Sequence, residues 1–440
     1  MSICQEVDVV IIGAGLAGLS AALELKKQNI SFTVLESKEC VGGRVLSFKT
    51  EENVTIDMGA QWIDRHHHHI QELLSQFELE VVPTYKKGKS VFFIDGKRTV
   101  GKLPPLSIAG FVDVFQFTRK LNKLSSKIIA DSPWNSLDAK EYDKLTMAQF
   151  LKENMYTVSG YHYYKYLLEE MLCTYLHEVS TLDVLWCVKT AGTVQNFRNA
   201  EALWLKEGVG VLVEKMAEQI AERIQFKSPV TVVTYDKNYA IVESAEKCWK
   251  AQRVIITIPP NLQREIQFKP PLPSLRAQLL EHCEMPSVTK IVLVYSKPFW
   301  RELGLSGMVK SDIGPINEAV DSSPRDGKRG VLTVLVTGES ARGLKKPSEE
   351  VPLALVPFFG EQAANPLQIF VENWSEQPWT RGGYGVHFGP GVITNYEKVL
   401  LEPIACLHFA GTETATKWRL FMEGAVHSGE QAAIEVTKYL

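Results

Sequence analysis

The sequence predicts an α/β protein with two domains, and three features of the chain carry that prediction. A buried strand, a glycine-rich turn, a helix and a second strand follow one another between residues 7 and 36. Residues 106–195 are mostly helical in pattern, and alternating strand and helix patterns return after Trp204. A chain of 440 residues with 45% apolar side chains is long enough to form two cores.

The first element is a β-α-β unit. Apart from Asp8, residues 7–12 form a β-branched apolar run, which is typical of a strand that is buried on both faces. The apolar spacing of residues 19–25 predicts the helix, and residues 31–36 form the second strand. Strand, helix and strand in this order predict a Rossmann-like unit.

The turn of this unit carries a glycine motif. Gly13 allows a tight exit from the strand, Gly15 lets the backbone approach a pyrophosphate, and Gly18 lets the helix lie close to the sheet. Glu36 lies about 20 residues further on, where an acid accepts a hydrogen bond from a ribose hydroxyl. Just beyond it, Arg44 is placed to pair with pyrophosphate oxygens. We predict a dinucleotide site, against the alternative of a glycine turn that serves packing only.

Composition excludes several classes of function. The net charge of -3, without an extended basic block, argues against a nucleic-acid surface. No apolar stretch reaches the length of about 18 residues that a membrane helix needs, and no secretory leader is visible, so we expect a soluble, cytoplasmic protein without a membrane anchor. The seven cysteines are scattered and lack metal spacing, and we expect reduced thiols and no metal site.

The run of four histidines at residues 66–69 precedes a helical pattern. Adjacent side chains on a helix are about 100° apart, so four consecutive histidines cannot all face one metal ion. We expect an exposed turn near a helix start.

Motifs at both ends of the chain resemble one known family. Residues 379–391 contain five glycines, and residues 407–426 lead through a small-residue turn into a final helix. Together with the glycine motif and residues 56–62, they resemble the flavin-containing amine oxidase family and are most similar to monoamine oxidase. The similarity extends, with gaps, over nearly the whole chain.

The resemblance implies a specific division of the chain. An FAD-binding, Rossmann-like domain is expected from residues 1–78, 203–280 and 378–440. A substrate-binding domain of antiparallel sheet and helices is expected from residues 79–202 and 281–377.

The resemblance also implies the roles of individual residues. Lys290 would hold a water molecule against flavin N5, and Trp374 would pack on the flavin ring. From composition alone, Lys290 could equally lie on an edge strand and point to water. Tyr384 and Phe421 would flank the substrate amine. The further residues implied to contact FAD are Gly59, Ala60, Val230, Thr412, Glu413 and Met422.

Two departures from the monoamine oxidase pattern are informative. Gly383 stands where a cysteine is covalently joined to the flavin, so we expect FAD to be held non-covalently. Arg381 and Arg419 lie close to the two aromatic positions, where monoamine oxidases carry small residues. Either arginine could pair with a substrate carboxylate; the alternative is that both face solvent or another acidic side chain.

These observations predict FAD-dependent oxidation of primary amines to aldehyde, ammonia and hydrogen peroxide, by hydride transfer from the α-carbon to flavin N5. The expected partners are a small amine and O₂, and a homodimer is left open. The alternatives are an L-amino acid or polyamine oxidase, or a catalytically silent flavin-binding protein.

Overall fold

The computed structural model describes residues 4–245 and 247–440. The strands are β1 (Gln5–Ile12), β2 (Phe32–Leu35), β3 (Ser47–Lys49), β4 (Thr55–Asp57), β5 (Trp62–Ile63), β6 (Val81–Pro83), β7 (Lys89–Ile94), β8 (Lys97–Gly101), β9 (Leu203–Leu205), β10 (Ile224–Gln225), β11 (Val232–Tyr235), β12 (Ala240–Ser244), β13 (Lys247–Ile256), β14 (Gln267–Lys269), β15 (Val288–Tyr295), β16 (Leu305–Ser311), β17 (Glu318–Asp321), β18 (Gly330–Thr337), β19 (Gln368–Asn373) and β20 (Leu407–Phe409). The helices are α1 (Leu16–Lys27), α2 (His68–Gln76), α3 (Ile108–Ser125), α4 (Ala139–Lys144), α5 (Met147–Asn154), α6 (Val158–Leu172), α7 (Thr181–Ala191), α8 (Val194–Arg198), α9 (Gly210–Glu218), α10 (Pro260–Gln263), α11 (Ser274–Glu281), α12 (Phe299–Glu302), α13 (Gly338–Gly343), α14 (Pro347–Phe359), α15 (Val392–Tyr396) and α16 (Met422–Thr437).

The first large sheet is built around the N-terminal β-α-β unit. Its strand order is β10-β2-β1-β13-β12-β11-β14, and β20 pairs with β13. Strand β1 runs parallel to β2 on one side and to β13 on the other, and its last four residues are completely or almost completely buried. Helix α1 follows directly and packs on α16, so closely that a Cβ at Gly429 would lie 2.0 Å from the Ala17 carbonyl oxygen. The β-α-β prediction is confirmed.

The second large sheet has the order β19-β15-β18-β17-β16-β7-β8. Its pairs are antiparallel except for β16 and β7, which are parallel. Strand β15 lies between β18 and β19, and all eight of its residues are buried. Lys290 is therefore on an interior strand, and the edge-strand alternative is wrong.

The two large sheets draw on different parts of the chain. Strands of the first sheet lie within residues 5–35, 224–269 and 407–409, inside the three segments predicted for the FAD-binding domain. Strands of the second lie within residues 89–101 and 288–373, inside the two segments predicted for the substrate-binding domain. A small sheet, β5-β9-β6, crosses that division. The α/β class is confirmed, and the exact domain boundaries stay a prediction.

Two expectations from the sequence are wrong. Cys4 and Cys248 form a disulfide, because parallel pairing of β1 with β13 places Gln5 opposite Trp249 and brings the two Cα atoms to 4.7 Å. Cys4 and Cys248 are 244 residues apart, which hid the pair in the sequence. In the histidine run, His67 is completely buried, so the segment is only partly exposed.

Among the helices within residues 4–245 and 247–440, none is both long and apolar enough to cross a bilayer.

Candidate functional site

A cavity of about 480 Å³ joins the first sheet to the second. It begins at the carboxyl ends of β1 and β2 and extends to β15 and β18. The predicted site residues that line it are Gly13, Gly15, Glu36, Arg44, Gly59, Ala60, Val230, Lys290, Trp374, Tyr384, Thr412, Phe421 and Met422. Gly18 and Glu413 lie outside this lining.

The glycine turn allows a close approach of backbone to backbone at one end of the cavity. Gly13 has a φ of 107°, and a Cβ there would lie 2.8 Å from the Thr257 hydroxyl oxygen. A Cβ at Gly18 would lie 1.9 Å from the Gly13 carbonyl oxygen, so Gly18 serves the packing of α1 against the turn. No described side chain caps α1, and its first turn contains no acid. The amides of this helix N-terminus can therefore face an anion in the cavity.

Glu36 is held rigidly at the same end. Its carboxylate accepts hydrogen bonds from the backbone amides of Ala14, at 2.8 Å, and Lys38, at 2.9 Å. The side chain is 6% exposed and lines the cavity. A glycine turn, free helix amides and a fixed carboxylate fit the pyrophosphate and ribose of a dinucleotide.

Arg44 and Glu413 form an ion pair beside this wall. The Arg44 Nη1 and Nη2 atoms donate to the two Glu413 carboxylate oxygens at 2.6 and 3.3 Å, and Nη1 also donates to the Tyr384 carbonyl oxygen. Arg44 thus joins the N-terminal segment to two C-terminal loops. The expected contacts of Arg44 and Glu413 with the cofactor stay predictions.

Lys290 lies in the middle part of the cavity and is 2% exposed. Its ammonium donates to the Gly59 carbonyl oxygen at 2.9 Å and to the Gln61 side-chain oxygen at 2.8 Å. Burial lowers the pKa of Lys290 to about 8, against the opposing charges of Asp57 and Glu201. Gln61 was not among the predicted site residues, although it lies two positions after Gly59 in the same motif.

The aromatic residues of the site are held by buried contacts. Phe421 packs against Trp418, Phe197 and His67, with ring centroids at 5.3, 5.2 and 5.7 Å. The indole nitrogen of Trp374 donates to the Met58 carbonyl oxygen at 2.9 Å. His67 was also missed as a site neighbour, because the histidine run was expected to be exposed.

We call Tyr384 and Phe421 the aromatic pair. The backbone at Tyr384 and just before Phe421 adopts left-handed conformations. Tyr384 has a φ of 60°, and Trp418 and Leu420 have φ values of 48° and 74°. Such conformations are unusual for residues other than glycine, and each costs of the order of 1–3 kcal/mol. Strain of this kind persists where the surrounding structure fixes it, and it occurs most often at functional sites.

Gly383 is tightly enclosed. A Cβ at this position would lie 3.0 Å from the Val288 Cβ and 3.2 Å from its Cγ2. A larger side chain at residue 383 would require Val288 to move.

The two arginines near the aromatic pair both have acidic partners. Arg381 is exposed and pairs with Glu265 at 2.7 Å. Arg419 is completely buried and pairs with Asp183 at 2.9 Å, and it also donates to the Val386 carbonyl oxygen at 2.7 Å. Both arginines thus have an acidic partner, as the alternative expected, and Arg381 also lines the cavity.

A second group of ionisable side chains lies at the far end of the cavity. Glu170, Glu201 and Glu318 come from α6, from the loop before β9 and from β17, and one carboxylate oxygen of each lies within 4.8 Å of the others. The Lys310 ammonium pairs with Glu318 at 3.1 Å and with Glu170 at 3.8 Å. Glu201 lines the cavity. This group was missed, because the four residues are far apart in the sequence and no spacing connects them.

Comparison with known proteins gives consistent results. The family model described as flavin containing amine oxidoreductase matches residues 16–437. A flavin-containing amine oxidase of Oncorhynchus mykiss is 32% identical, over 98% of this chain and 85% of that protein. An L-amino acid dehydrogenase of Synechocystis is 31% identical, over 97% of this chain and 94% of that protein. The structure of wild-type putrescine oxidase bound to putrescine superimposes with a TM-score of 0.94 at 26% identity, covering 99% of this chain and all of that one.

Proposed function

Because the chain belongs to the flavin-containing amine oxidoreductase family, we propose that this oxidoreductase is an FAD-dependent oxidase of primary amines. The proposed products are an aldehyde, ammonia and hydrogen peroxide, with O₂ as the electron acceptor. The observation that carries the proposal is one continuous cavity. It is lined by Gly15 and Glu36 at one end and by Lys290, Tyr384 and Phe421 further along.

The family implies FAD, and the residues at the glycine turn fit a dinucleotide. In the proposed complex, Gly13 and Gly15 admit the pyrophosphate, and Glu36 accepts from a ribose hydroxyl. Trp374, which is fixed by its bond to Met58, provides a flat face for the ring system. When bound, FAD would supply the oxidising centre that accepts a hydride equivalent at N5 from the substrate α-carbon.

The chain's own residues would bind and orient the amine. An amine must lose its proton before its nitrogen lone pair is free, and burial beside apolar side chains disfavours the charged form. The rings of Tyr384 and Phe421 line the space and can orient the nitrogen through their π faces. Lys290 would hold a water molecule near the oxidising centre by donating a hydrogen bond.

We further propose that FAD is held without a covalent bond. Position 383 carries no thiol, and even a Cβ there would lie 3.0 Å from the Val288 Cβ. The flavin would then be retained by packing, hydrogen bonds and the helix N-terminus alone.

Oxidation of L-amino acids is less favoured by the site. A free guanidinium is the usual partner of a substrate carboxylate, and Arg381 and Arg419 are each paired with an acid. A silent flavin-binding protein would have no need of Lys290, Trp374 and Tyr384 around one cavity.

Two measurements on the purified, FAD-loaded protein test this proposal. Acid precipitation should leave the flavin in the supernatant; flavin that precipitates with the chain would contradict non-covalent binding. A primary amine should produce hydrogen peroxide, while its α-carboxylated analogue should not. Absence of peroxide with every amine in a broad panel would contradict an oxidase, and equal rates with the carboxylated analogues would favour an amino acid oxidase.

A further inference from the structure

A rim of exposed residues marks the place where the cavity reaches solvent. Most of the described residues that line the cavity are buried or half-buried, and the exposed ones are Glu265, Pro378, Trp379 and Arg381. Pro378, Trp379 and Arg381 belong to the loop after β19, and Glu265 lies between α10 and β14. We call these residues the rim. The mouth of the cavity therefore lies between two segments that are more than 100 residues apart in the chain.

The rim borders the part of the cavity that fits a dinucleotide. The Thr257 hydroxyl donates to the Gly13 carbonyl oxygen at 3.1 Å, so the start of this segment contacts the glycine turn. From Thr257 the chain continues along the cavity wall to Glu265. Strand β14 follows and pairs with β11, close to Val230, which also lines the cavity. A ligand that passes the rim thus enters beside the glycine turn.

An ion pair connects the two sides of the rim. The Arg381 Nη1 atom donates to Glu265 Oε1 at 2.7 Å, and the two side chains are about half exposed. Beneath this contact, the Asn261 side-chain amide donates to the Thr380 carbonyl oxygen at 3.0 Å in a buried hydrogen bond. The loop after β19 is therefore joined to the segment after β13 by one buried contact and one exposed ion pair across the mouth.

The backbone beneath the ion pair is held firmly. The amide of Arg381 donates to the Gln377 carbonyl oxygen, and the amide of Gly382 donates to the Trp374 carbonyl oxygen, both at 2.8 Å. A Cβ at Gly382 would lie 2.2 Å from the Met285 Cβ, so the loop is packed closely on its neighbour. Arg381 has a φ of 50°, which is uncommon for a residue other than glycine. The mouth would therefore open by separation of the two side chains, with the loop staying in place.

We propose that the Arg381–Glu265 ion pair is a strap across the mouth of the cavity and that it slows both the entry and the release of FAD. The inference rests on the proposed non-covalent binding of FAD, because only a flavin without a covalent bond can leave. Gly383, where the thiol is missing, lies two residues after Arg381 in the same loop. The loop that lacks the covalent bond thus carries a cation that closes the cavity.

The position of the strap predicts which constants it affects. Arg381 and Glu265 are each other's partners and need no cofactor atom to form their contact. Loss of the pair should therefore raise the rates of release and entry by the same factor and leave the Kd for FAD unchanged, because the pair does not distinguish the loaded from the empty cavity. Exposed ion pairs are weak, so the expected factor is about three- to fivefold.

The test measures FAD exchange on the full chain. Protein loaded with isotope-labelled FAD is chased with unlabelled FAD to follow release, and the FAD-stripped chain is mixed with FAD to follow entry through tryptophan fluorescence. Arg381→Ala and, separately, Glu265→Ala should accelerate both rates by about three- to fivefold. The charge-exchanged variant, Arg381→Glu with Glu265→Arg, should return both rates to within about twofold of the wild type.

A neighbouring ion pair provides the matched control. Arg264 pairs with Glu281 at 3.2 Å, is exposed, and lies outside the described lining of the cavity. Arg264→Ala should leave both rates unchanged. Salt should accelerate exchange in the wild type more than in Arg381→Ala, because an exposed ion pair is screened. Thermal melting verifies that each variant is folded.

The outcomes separate this inference from the proposed function, because no amine has to be oxidised. Release and entry that stay unchanged in both alanine variants would overturn the strap and leave non-covalent FAD and amine oxidation intact. Faster release with unchanged entry would also overturn it, since Arg381 would then contact the cofactor itself. Flavin that precipitates with the chain in acid would contradict the proposed non-covalent binding and, with it, the strap.

Discussion

Two buried clusters of charge lie near the aromatic pair, and they differ in how their charges are balanced. In the first, Arg419 pairs with Asp183, and His387 contacts the second Asp183 oxygen at 2.7 Å. We call these three residues the Arg419 cluster. In the second, which we call the carboxylate site, Lys310 pairs with Glu170 and Glu318, and a Glu201 carboxylate oxygen lies within 4.8 Å of theirs. The Arg419 cluster is almost fully removed from water, whereas Glu170, Glu201 and Lys310 are partly exposed.

The difference in charge balance is reflected in the pKa values of the acidic side chains. Burial acts to raise the pKa of Asp183, but the Arg419 and His387 charges outweigh it and hold that pKa below its ordinary value. Burial and repulsion raise the pKa of Glu170 and Glu201 instead. A balanced buried cluster therefore keeps its acid ionised, whereas the unbalanced one favours protonated carboxyl groups.

The contacts of the Arg419 cluster support a structural role. The Arg419 guanidinium donates to the Val386 carbonyl oxygen, two residues after Tyr384, and Arg419 itself lies two residues before Phe421. Asp183 belongs to α7. One buried arginine therefore connects both loops of the aromatic pair to a helix of the chain's middle region.

The largest expected effect is the loss of the buried arginine. Arg419→Met should lower the free energy of unfolding by about 3–5 kcal/mol, because it leaves the Asp183 carboxylate buried without its main counter-charge. Urea unfolding of wild type and variant measures the difference. A loss below about 1 kcal/mol would show that Arg419 contributes no more to stability than a surface ion pair does.

A double variant sharpens the same point. Replacement of both partners, Arg419→Met with Asp183→Leu, should cost less than the sum of the two single changes by about 1 kcal/mol or more. Neither charge is then left alone, although His387 loses one contact. Strictly additive losses in the same urea experiment would show that the ion pair is not coupled.

At the carboxylate site, the contribution to stability should fall as the pH rises, whereas an acid in an ordinary ion pair loses its contribution as the pH falls. The folded-state pKa of Glu201 is raised to about 8 from 4.5, so the folded protein binds a proton that the unfolded chain releases. The resulting stability is complete below pH 4.5 and is lost as the pH rises through 8. Glu201→Gln should reduce the slope of the free energy of unfolding against pH by up to about 1.4 kcal/mol per pH unit.

Denaturant titrations at several pH values between 4.5 and 8 measure how steeply the free energy of unfolding falls with pH. Glu207→Gln is the control variant, because it removes a carboxylate from an exposed position and should leave the slope unchanged. Identical slopes in wild type and Glu201→Gln would contradict an excess of buried negative charge at the carboxylate site.

The smallest effect is expected at the exposed arginine. Arg381 and Glu265 are 47% and 53% exposed, and a surface ion pair of this kind contributes about 0–1 kcal/mol. Arg381→Ala should therefore change the free energy of unfolding by less than about 1 kcal/mol, in contrast to Arg419→Met. A loss as large as that of Arg419→Met would show that burial does not distinguish the two arginines.

Much of the fold could be predicted because its signals are local. The apolar run of β1, the glycine turn and the apolar spacing of α1 all lie within residues 5–27, and each has its own physical requirement. The resemblance then connected distant segments, and the structure brings thirteen of the fifteen predicted site residues to one cavity.

The rest could not be predicted because it depends on contacts between distant segments. The carboxylate site joins α6, the loop before β9 and β17, and only strand register shows that Glu318 shares a row with Lys290. The Cys4–Cys248 disulfide depends in the same way on the pairing of β1 with β13. His67 was expected in solvent, and its burial depends on contacts with Trp418 and Phe421 near the other end of the chain.

The most direct test of the central claim is anaerobic mixing of the FAD-loaded protein with primary amines, followed through the visible absorption of the flavin. The account predicts rapid bleaching that saturates with amine concentration and that Lys290→Met slows. Visible absorption that stays unchanged at every amine concentration would contradict it, because the cavity would then bring no oxidisable amine to the flavin.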